Sequence, residues 1–122
     1  MSVLVTQPAP DFTATAVMPD GSINAAFKLS DLRGKYVVLF FYPLDFTFVC
    51  PSEIIAHDHR VSKFKELGVE VVGVSIDSQF SHFTWRETPV ERGGIGRVSF
   101  PLVADIKHEI TNYFGALSLT CQ

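Results

Sequence analysis

Two largely apolar segments, separated by a stretch with helical periodicity, constrain the fold of this chain most strongly. The first covers Tyr36–Phe41 and the second covers Val69–Ile76. Runs of this length, in which only Glu70 and Ser75 are polar, are typical of parallel strands that are covered on both faces. Between them, apolar residues recur at helical spacing over Ser52–Leu67, and Gly68 ends the segment. The order strand, helix, strand predicts a right-handed crossover within a parallel sheet.

The rest of the sequence predicts further elements of an α/β protein. Two segments with strand character on either side of a Pro-Asp-Gly-Ser turn predict an N-terminal hairpin. The predicted elements are strands Phe12–Met18 and Ile23–Leu29, a helical turn at Ser30–Gly34, a helix over Phe80–Glu87, a flexible loop from Pro89 to Val98, a strand over Phe100–Ala104, and a helix from Asp105 or the next residue to Phe114.

Length and composition indicate a single globular domain spanning residues 1–122. Hydrophobic residues make up 47% of the chain, and eleven of its residues are phenylalanine, so it can form a core. The net charge of −3, without a basic cluster, argues against nucleic acid as a partner. No apolar run approaches the length of a membrane span, and the start does not resemble a secretion signal. Two distant cysteines do not resemble a secreted disulfide framework, so we expect a cytoplasmic protein.

One thiol lies where the first apolar strand gives way to the predicted helix. Pro51 suits the first helical position and Glu53 suits the third, which predicts that Cys50 is the N-cap residue. There the unpaired backbone N–H groups and the helix dipole favour thiolate and lower the pKa of the thiol. The alternative is an inert buried cysteine, which is common in cores. The capping pattern around Cys50 favours the nucleophile.

Three neighbours of Cys50 are candidates for supporting roles. The hydroxyl of Thr47 could donate to the sulfur or to an oxygen bound beside it, although it could also merely cap a turn. Pro43 could shield the pocket as well as end the strand. Glu53 fits a structural capping role better than proton transfer.

The spacing Pro43-x-x-x-Thr47-x-x-Cys50 resembles the active-site motif of the peroxiredoxins, and the wider run over residues 40–53 resembles their typical two-cysteine branch, the alkyl hydroperoxide reductase type. The resemblance extends from residue 1 to about residue 115. Other segments in family order are Ala9–Phe12, Val74–Ser78, Trp85–Pro89, Gly93–Gly96 and Pro101–Asp105.

This resemblance implies a thioredoxin-like α/β fold whose last strands and C-terminal arm lie beyond the matched region. It implies a thiol peroxidase, without cofactor or metal, that reduces hydrogen peroxide and organic hydroperoxides through a sulfenic acid on Cys50. It also implies recycling by thioredoxin or a flavoprotein disulfide reductase, and dimers that can assemble into rings. In the family a later strand carries an arginine that contacts the thiolate. None of the five arginines of this chain matches that position.

The second cysteine and the histidines are harder to assign. Cys121 could act as a resolving thiol, but its surroundings differ from the family pattern, and we interpret it as a mobile terminal thiol. His57 and His59 point to different faces of the predicted helix, which does not suit a shared metal. We expect His82 and His108 to be isolated and either solvated or locally bonded. Trp85 fits core packing or an interface between protomers equally well.

Two other functions remain open on the sequence. The chain could be an inactive, truncated peroxiredoxin that serves only as a folded or binding module, with an unpaired apolar sheet edge that invites self-association. A thioredoxin-like disulfide reductase is disfavoured, because Cys50-Pro51-Ser52-Glu53 lacks the second cysteine of such enzymes.

Overall fold

The computed structural model describes residues 6–42, 44–46 and 50–115, and for Cys50 and Pro51 it describes the backbone alone. The chain-order strands are β1 (Thr13–Val17), β2 (Ile23–Lys28), β3 (Tyr36–Phe41), β4 (Val69–Ser75) and β5 (Leu102–Ala104), and the helices are α1 (Cys50–His59), α2 (Val61–Glu66), α3 (Gln79–Glu87) and α4 (Glu109–Tyr113). Short 3-10 turns cover Leu29–Leu32 and Val90–Arg92.

All five strands form one mixed sheet with the order β2-β1-β5-β4-β3. Strands β3 and β4 are parallel, with Tyr36 opposite Val69 and Phe41 opposite Val74. Strand β5 continues the parallel part, and β1 and β2 add antiparallel to its other side. The predicted hairpin and the predicted strand, helix, strand unit are therefore both present, and the α/β class is confirmed.

The sheet separates two apolar clusters. Successive residues of β4 point to opposite faces, so Val71 packs in one cluster and Val72 in the other, as a strand buried on both sides requires. Helices α1, α2 and α3 cover the first face with Ile54, Val61 and Trp85. Helix α4 covers the second face with Ile110. Within the described residues, no helix has the length and apolar character needed to cross a bilayer.

Gly73 in β4 is required by a close approach. A Cβ added there would lie 2.9 Å from the Phe40 ring and 3.3 Å from the Leu102 side chain. The first distance is shorter than real Cβ contacts and the second is tighter than most of them, so the missing side chain leaves room for both neighbours on this face of β4.

The single helix predicted over Ser52–Leu67 is wrong, because the chain forms two helices that meet at Arg60. Arg60 leaves helical geometry with φ −109° and ψ 4°. Tertiary contacts hold the residues before it, since the His57 ring stacks on Phe40 at 4.5 Å and the Asp58 carboxylate accepts the Ser99 N–H at 2.7 Å. These partners lie outside the helical segment, so periodicity could not reveal the break.

The start of α4 and the packing of the loop after α3 also differ from the prediction. Helix α4 begins at Glu109 rather than near Asp105, because the buried Asp105 carboxylate accepts the N–H groups of Ile110 and Thr111 from outside the helix at 3.1 and 2.8 Å. The loop after α3, expected to be flexible, is packed. Ile95 and Val98 are buried in the first cluster.

Candidate active site

Cys50 is the first residue of α1, beyond the carboxyl end of β3. Tyr42 still donates its N–H to the Val74 carbonyl at 3.1 Å, after which the chain leaves the sheet and reaches Cys50. Open α/β sheets bind ligands at this end of their parallel strands. The N–H groups at the start of a helix point along its axis away from the helix and give that end a partial positive charge, so the start of α1 is an electropositive place for a thiol.

The helix begins one residue earlier than predicted, so Cys50 is its first residue rather than its N-cap. Pro51 is then the second helical residue, where its missing N–H is still not needed. Glu53 becomes the fourth residue and is exposed, so the predicted capping box is wrong by one position. Its carboxylate still lies in the first turn, where the helix dipole favours a negative charge.

Three of the predicted site residues lie outside the described residues. These are Pro43 and Thr47, which precede the helix, and Cys121 near the end of the chain. Their roles remain predictions from the sequence.

A buried polar network supports the chain between β3 and Cys50. The Tyr42 hydroxyl donates to Asp45 Oδ1 at 2.9 Å, and Asp45 Oδ2 lies 2.6 Å from His82 Nδ1. On its other side, His82 Nε2 lies 3.1 Å from the Val103 carbonyl oxygen. A carbonyl oxygen can only accept, so Nε2 carries a hydrogen and donates it. The network therefore connects the approach to Cys50 with α3 and β5.

His82, expected to be isolated and either solvated or locally bonded, is buried and bonded to residues that are distant in sequence. Its side chain is fully buried, as is that of Asp45. A buried charged or polar group is costly unless it is paired, and here each ring nitrogen has a partner. The sequence offered one signal, which is that His82 and Trp85 lie three residues apart and so share a face of α3.

Trp85 packs against the same segment. Its buried indole lies 5.7 Å from the Tyr42 ring and 6.1 Å from the Phe46 ring, and its Nε1 donates to the Gly93 carbonyl at 3.0 Å. Of the two interpretations that the sequence left open, core packing beside the site is therefore the one these contacts describe. Among the described residues, no group of three or more potential ligands could hold a metal ion.

Comparison with known proteins identifies relatives of this chain. The sequence model of the AhpC/TSA family matches residues 5–121. Peroxiredoxin-1 of Gallus gallus is 58% identical over 111 residues, which cover 91% of this chain and 55% of that protein. The chain thus spans about half the length of the curated relatives that it matches.

Solved structures show the same fold. Reduced 2-Cys peroxiredoxin of Plasmodium vivax superposes with a TM-score of 0.89 and is 44% identical, covering 93% of this chain and 59% of that one. Prx1a of Plasmodium yoelii, modified at its N-terminus and forming an artifactual octamer, has a TM-score of 0.87 and 49% identity and covers 92% and 65%. These likenesses confirm the thioredoxin-like peroxiredoxin architecture that the sequence predicted.

Proposed function

Because this chain belongs to the peroxiredoxins of the AhpC/TSA family, we propose that it is a thiol-dependent peroxidase that reduces hydrogen peroxide and organic hydroperoxides through Cys50. The observation that carries the proposal is the position of Cys50 as the first residue of α1, beyond the carboxyl end of β3. The helix start stabilises the thiolate and lowers the pKa of the thiol.

The first step, oxidation of Cys50, requires no group from outside the chain other than the peroxide and a proton. The Cys50 thiolate attacks one peroxide oxygen, and a sulfur–oxygen bond forms as the oxygen–oxygen bond breaks. The leaving oxygen takes the bond electrons and a proton and departs as water or alcohol. Sulfur is oxidised to the sulfenic acid while the peroxide is reduced. In this proposal Thr47 donates a hydrogen bond to the reacting oxygen or sulfur, Pro43 shields the pocket, and Glu53 supports the helix start.

Recycling of the sulfenic acid needs a thiol. A resolving thiol condenses with it to form a disulfide and water, and a reductant then restores both thiols. We propose thioredoxin or a flavoprotein disulfide reductase as this reductant, in a cytoplasmic enzyme of the alkyl hydroperoxide reductase type that forms dimers or rings. Cys121 is the second cysteine of the chain, and the residues around it differ from the family's pattern for the resolving thiol.

Stopped-flow measurement of peroxide consumption tests the proposal. The unaltered chain should react much faster than an ordinary free thiol at neutral pH, and Cys50→Ser should lower the rate to background because the hydroxyl is not ionised. Cys121→Ser is the matched control and should leave the first oxidation step unchanged. An unchanged rate in Cys50→Ser would overturn the peroxidase proposal. Slow, free-thiol reactivity of the unaltered chain would instead support the inactive module.

A further inference from the structure

Asp77 joins two loops that are far apart in sequence. It lies two residues beyond the end of β4, and its Oδ2 accepts the backbone N–H of Asp45 at 2.7 Å. Its own N–H donates to the Ser75 hydroxyl at 3.3 Å, which keeps Asp77 next to the strand. Asp45 lies beyond the end of β3. The contact therefore fastens the approach to Cys50 onto the rigid carboxyl end of the neighbouring strand.

The backbone at Asp45 needs such a partner. The β3–β4 ladder ends with the N–H of Tyr42, so the N–H of Asp45 has no place in the sheet, and the residue is buried. The next residue, Phe46, adopts a left-handed conformation with φ +59°. This conformation is unfavourable for a bulky residue and persists only when surrounding contacts hold it.

The contacts of Asp45 divide between its side chain and its backbone. Tyr42 and His82 hold the carboxylate, as described above. Asp77 holds the N–H, and an ionised carboxylate accepts such a bond more strongly than a neutral group. Without it the N–H of Asp45 would be left unpaired in a buried turn, at a cost in free energy.

We propose that Asp77 is a positioning residue for Cys50, acting through the hydrogen bond that holds the turn at Asp45 and Phe46. This turn ends at Phe46, four positions before Cys50 in the sequence, and is the last segment that the structure describes ahead of α1. The inference deepens the proposed function and rests on it for the role of Cys50. It assigns no contact between Asp77 and the peroxide.

Two substitutions at one position separate hydrogen bonding from charge. Asp77→Ala removes the acceptor, whereas Asp77→Asn keeps an oxygen that can accept the same N–H. The unaltered chain used as the reference and all variants carry Cys121→Ser in this experiment, which leaves Cys50 as the single cysteine. The control is Asp11→Ala, because the Asp11 carboxylate also accepts a backbone N–H, that of Ser30 at 2.9 Å, away from the site.

Three measurements decide the outcome. These are the rate of peroxide consumption, the pH profile of Cys50 alkylation by iodoacetamide, and the emission of Trp85, the single tryptophan, whose ring packs against Phe46. In Asp77→Ala we expect the rate of peroxide consumption and the rate of Cys50 alkylation at neutral pH to fall by about tenfold. We also expect the Trp85 emission to shift to the red, because the turn no longer packs against the indole. Asp77→Asn and Asp11→Ala should stay close to the unaltered chain.

Each other result has a defined meaning. The proposal is overturned if Asp77→Ala alkylates and fluoresces like the unaltered chain, or if Asp77→Asn loses as much as Asp77→Ala. A urea midpoint that falls while alkylation and emission stay constant also overturns it, since that pattern describes stability alone. If the unaltered chain consumes no peroxide, the proposed function fails, and the alkylation and emission comparisons still decide whether Asp77 positions Cys50.

Discussion

Asp45 and His82 form a buried pair of polar side chains. Both are fully buried, 2.6 Å apart, and each has a second partner, Tyr42 for Asp45 and Val103 for His82. The interior strengthens the attraction within the pair but also makes each group costly to desolvate. Removing one partner therefore costs more than the pair itself contributes, because the polar atom that faced it stays buried and loses that hydrogen bond.

We expect His82→Leu to destabilise the fold by about 3 kcal/mol, because Asp45 loses its buried partner. Urea denaturation monitored by circular dichroism measures this change. The control is His59→Leu on the exposed part of α1, which should change stability by less than about 0.5 kcal/mol. A double variant, Asp45→Leu with His82→Leu, should recover part of the loss, since the buried carboxyl group that lost its partner is then absent as well. Equal urea midpoints for His82→Leu and His59→Leu would contradict this explanation.

At the scale of elements, the β1–β2 hairpin shows how local chemistry and tertiary packing combine. Its turn follows the sequence pattern, with Gly21 at φ +89° and the Met18 N–H donating to the Ser22 carbonyl at 2.8 Å. The buried Arg86 of α3 then donates to the Pro19 carbonyl at 2.6 Å, which attaches the turn to the rest of the fold.

The turn also carries a pH dependence with a defined sign. The hydroxyl and the N–H of Ser22 donate to Asp20 at 2.6 and 2.9 Å and hold the pKa of its carboxyl below the ordinary value of 3.8. Because the folded pKa is the lower one, the stabilisation is present above pH 3.8 and is lost as the pH falls through the folded pKa.

We therefore expect Asp20→Asn to reduce the loss of stability between pH 4 and lower pH, relative to the unaltered chain. Urea midpoints measured across this range provide the test. Ser22→Ala should have a similar effect, because it returns the pKa of Asp20 towards its ordinary value. If both variants kept the full acid dependence, these hydrogen bonds would not be its source.

At the scale of the whole molecule, the edge of the sheet at β3 is the part of the described structure most open to pairing with another chain. Strand β3 is the last in the order and pairs with β4 alone among the described residues. Its six residues are all apolar or aromatic, and Tyr36 is 79% exposed. A long apolar edge strand offers free N–H and C=O groups to another chain.

We expect this chain to associate in a concentration-dependent way through β3, and Tyr36→Lys to weaken the association because a charge opposes edge pairing. Sedimentation velocity over a concentration series measures it. Phe80→Lys is the matched control, since Phe80 is an equally large aromatic residue, 68% exposed on α3 and away from any strand edge. If both variants reduce association equally, general surface hydrophobicity rather than the β3 edge is responsible.

Much of this fold could be predicted from local patterns. The apolar runs of β3 and β4, the hairpin turn and the position of Cys50 at the start of a helix all follow from periodicity and turn chemistry over a few residues. Such features depend on neighbours in sequence. The break at Arg60 and the packed loop before Val98 depend on distant partners, and so they were missed.

The amino-acid sequence by itself therefore determined the order of the elements and the family, and it predicted Cys50 as the reactive thiol. Only the tertiary structure decided which polar residues hold the turn at Asp45, which precedes that cysteine in the chain. Asp45, Asp77 and His82 lie at the ends of different strands and on a separate helix, and they meet because parallel pairing brings the carboxyl ends of β3, β4 and β5 to one edge. Hydrogen bonds between residues more than thirty positions apart produce no periodic pattern in the sequence, so only the tertiary structure shows them.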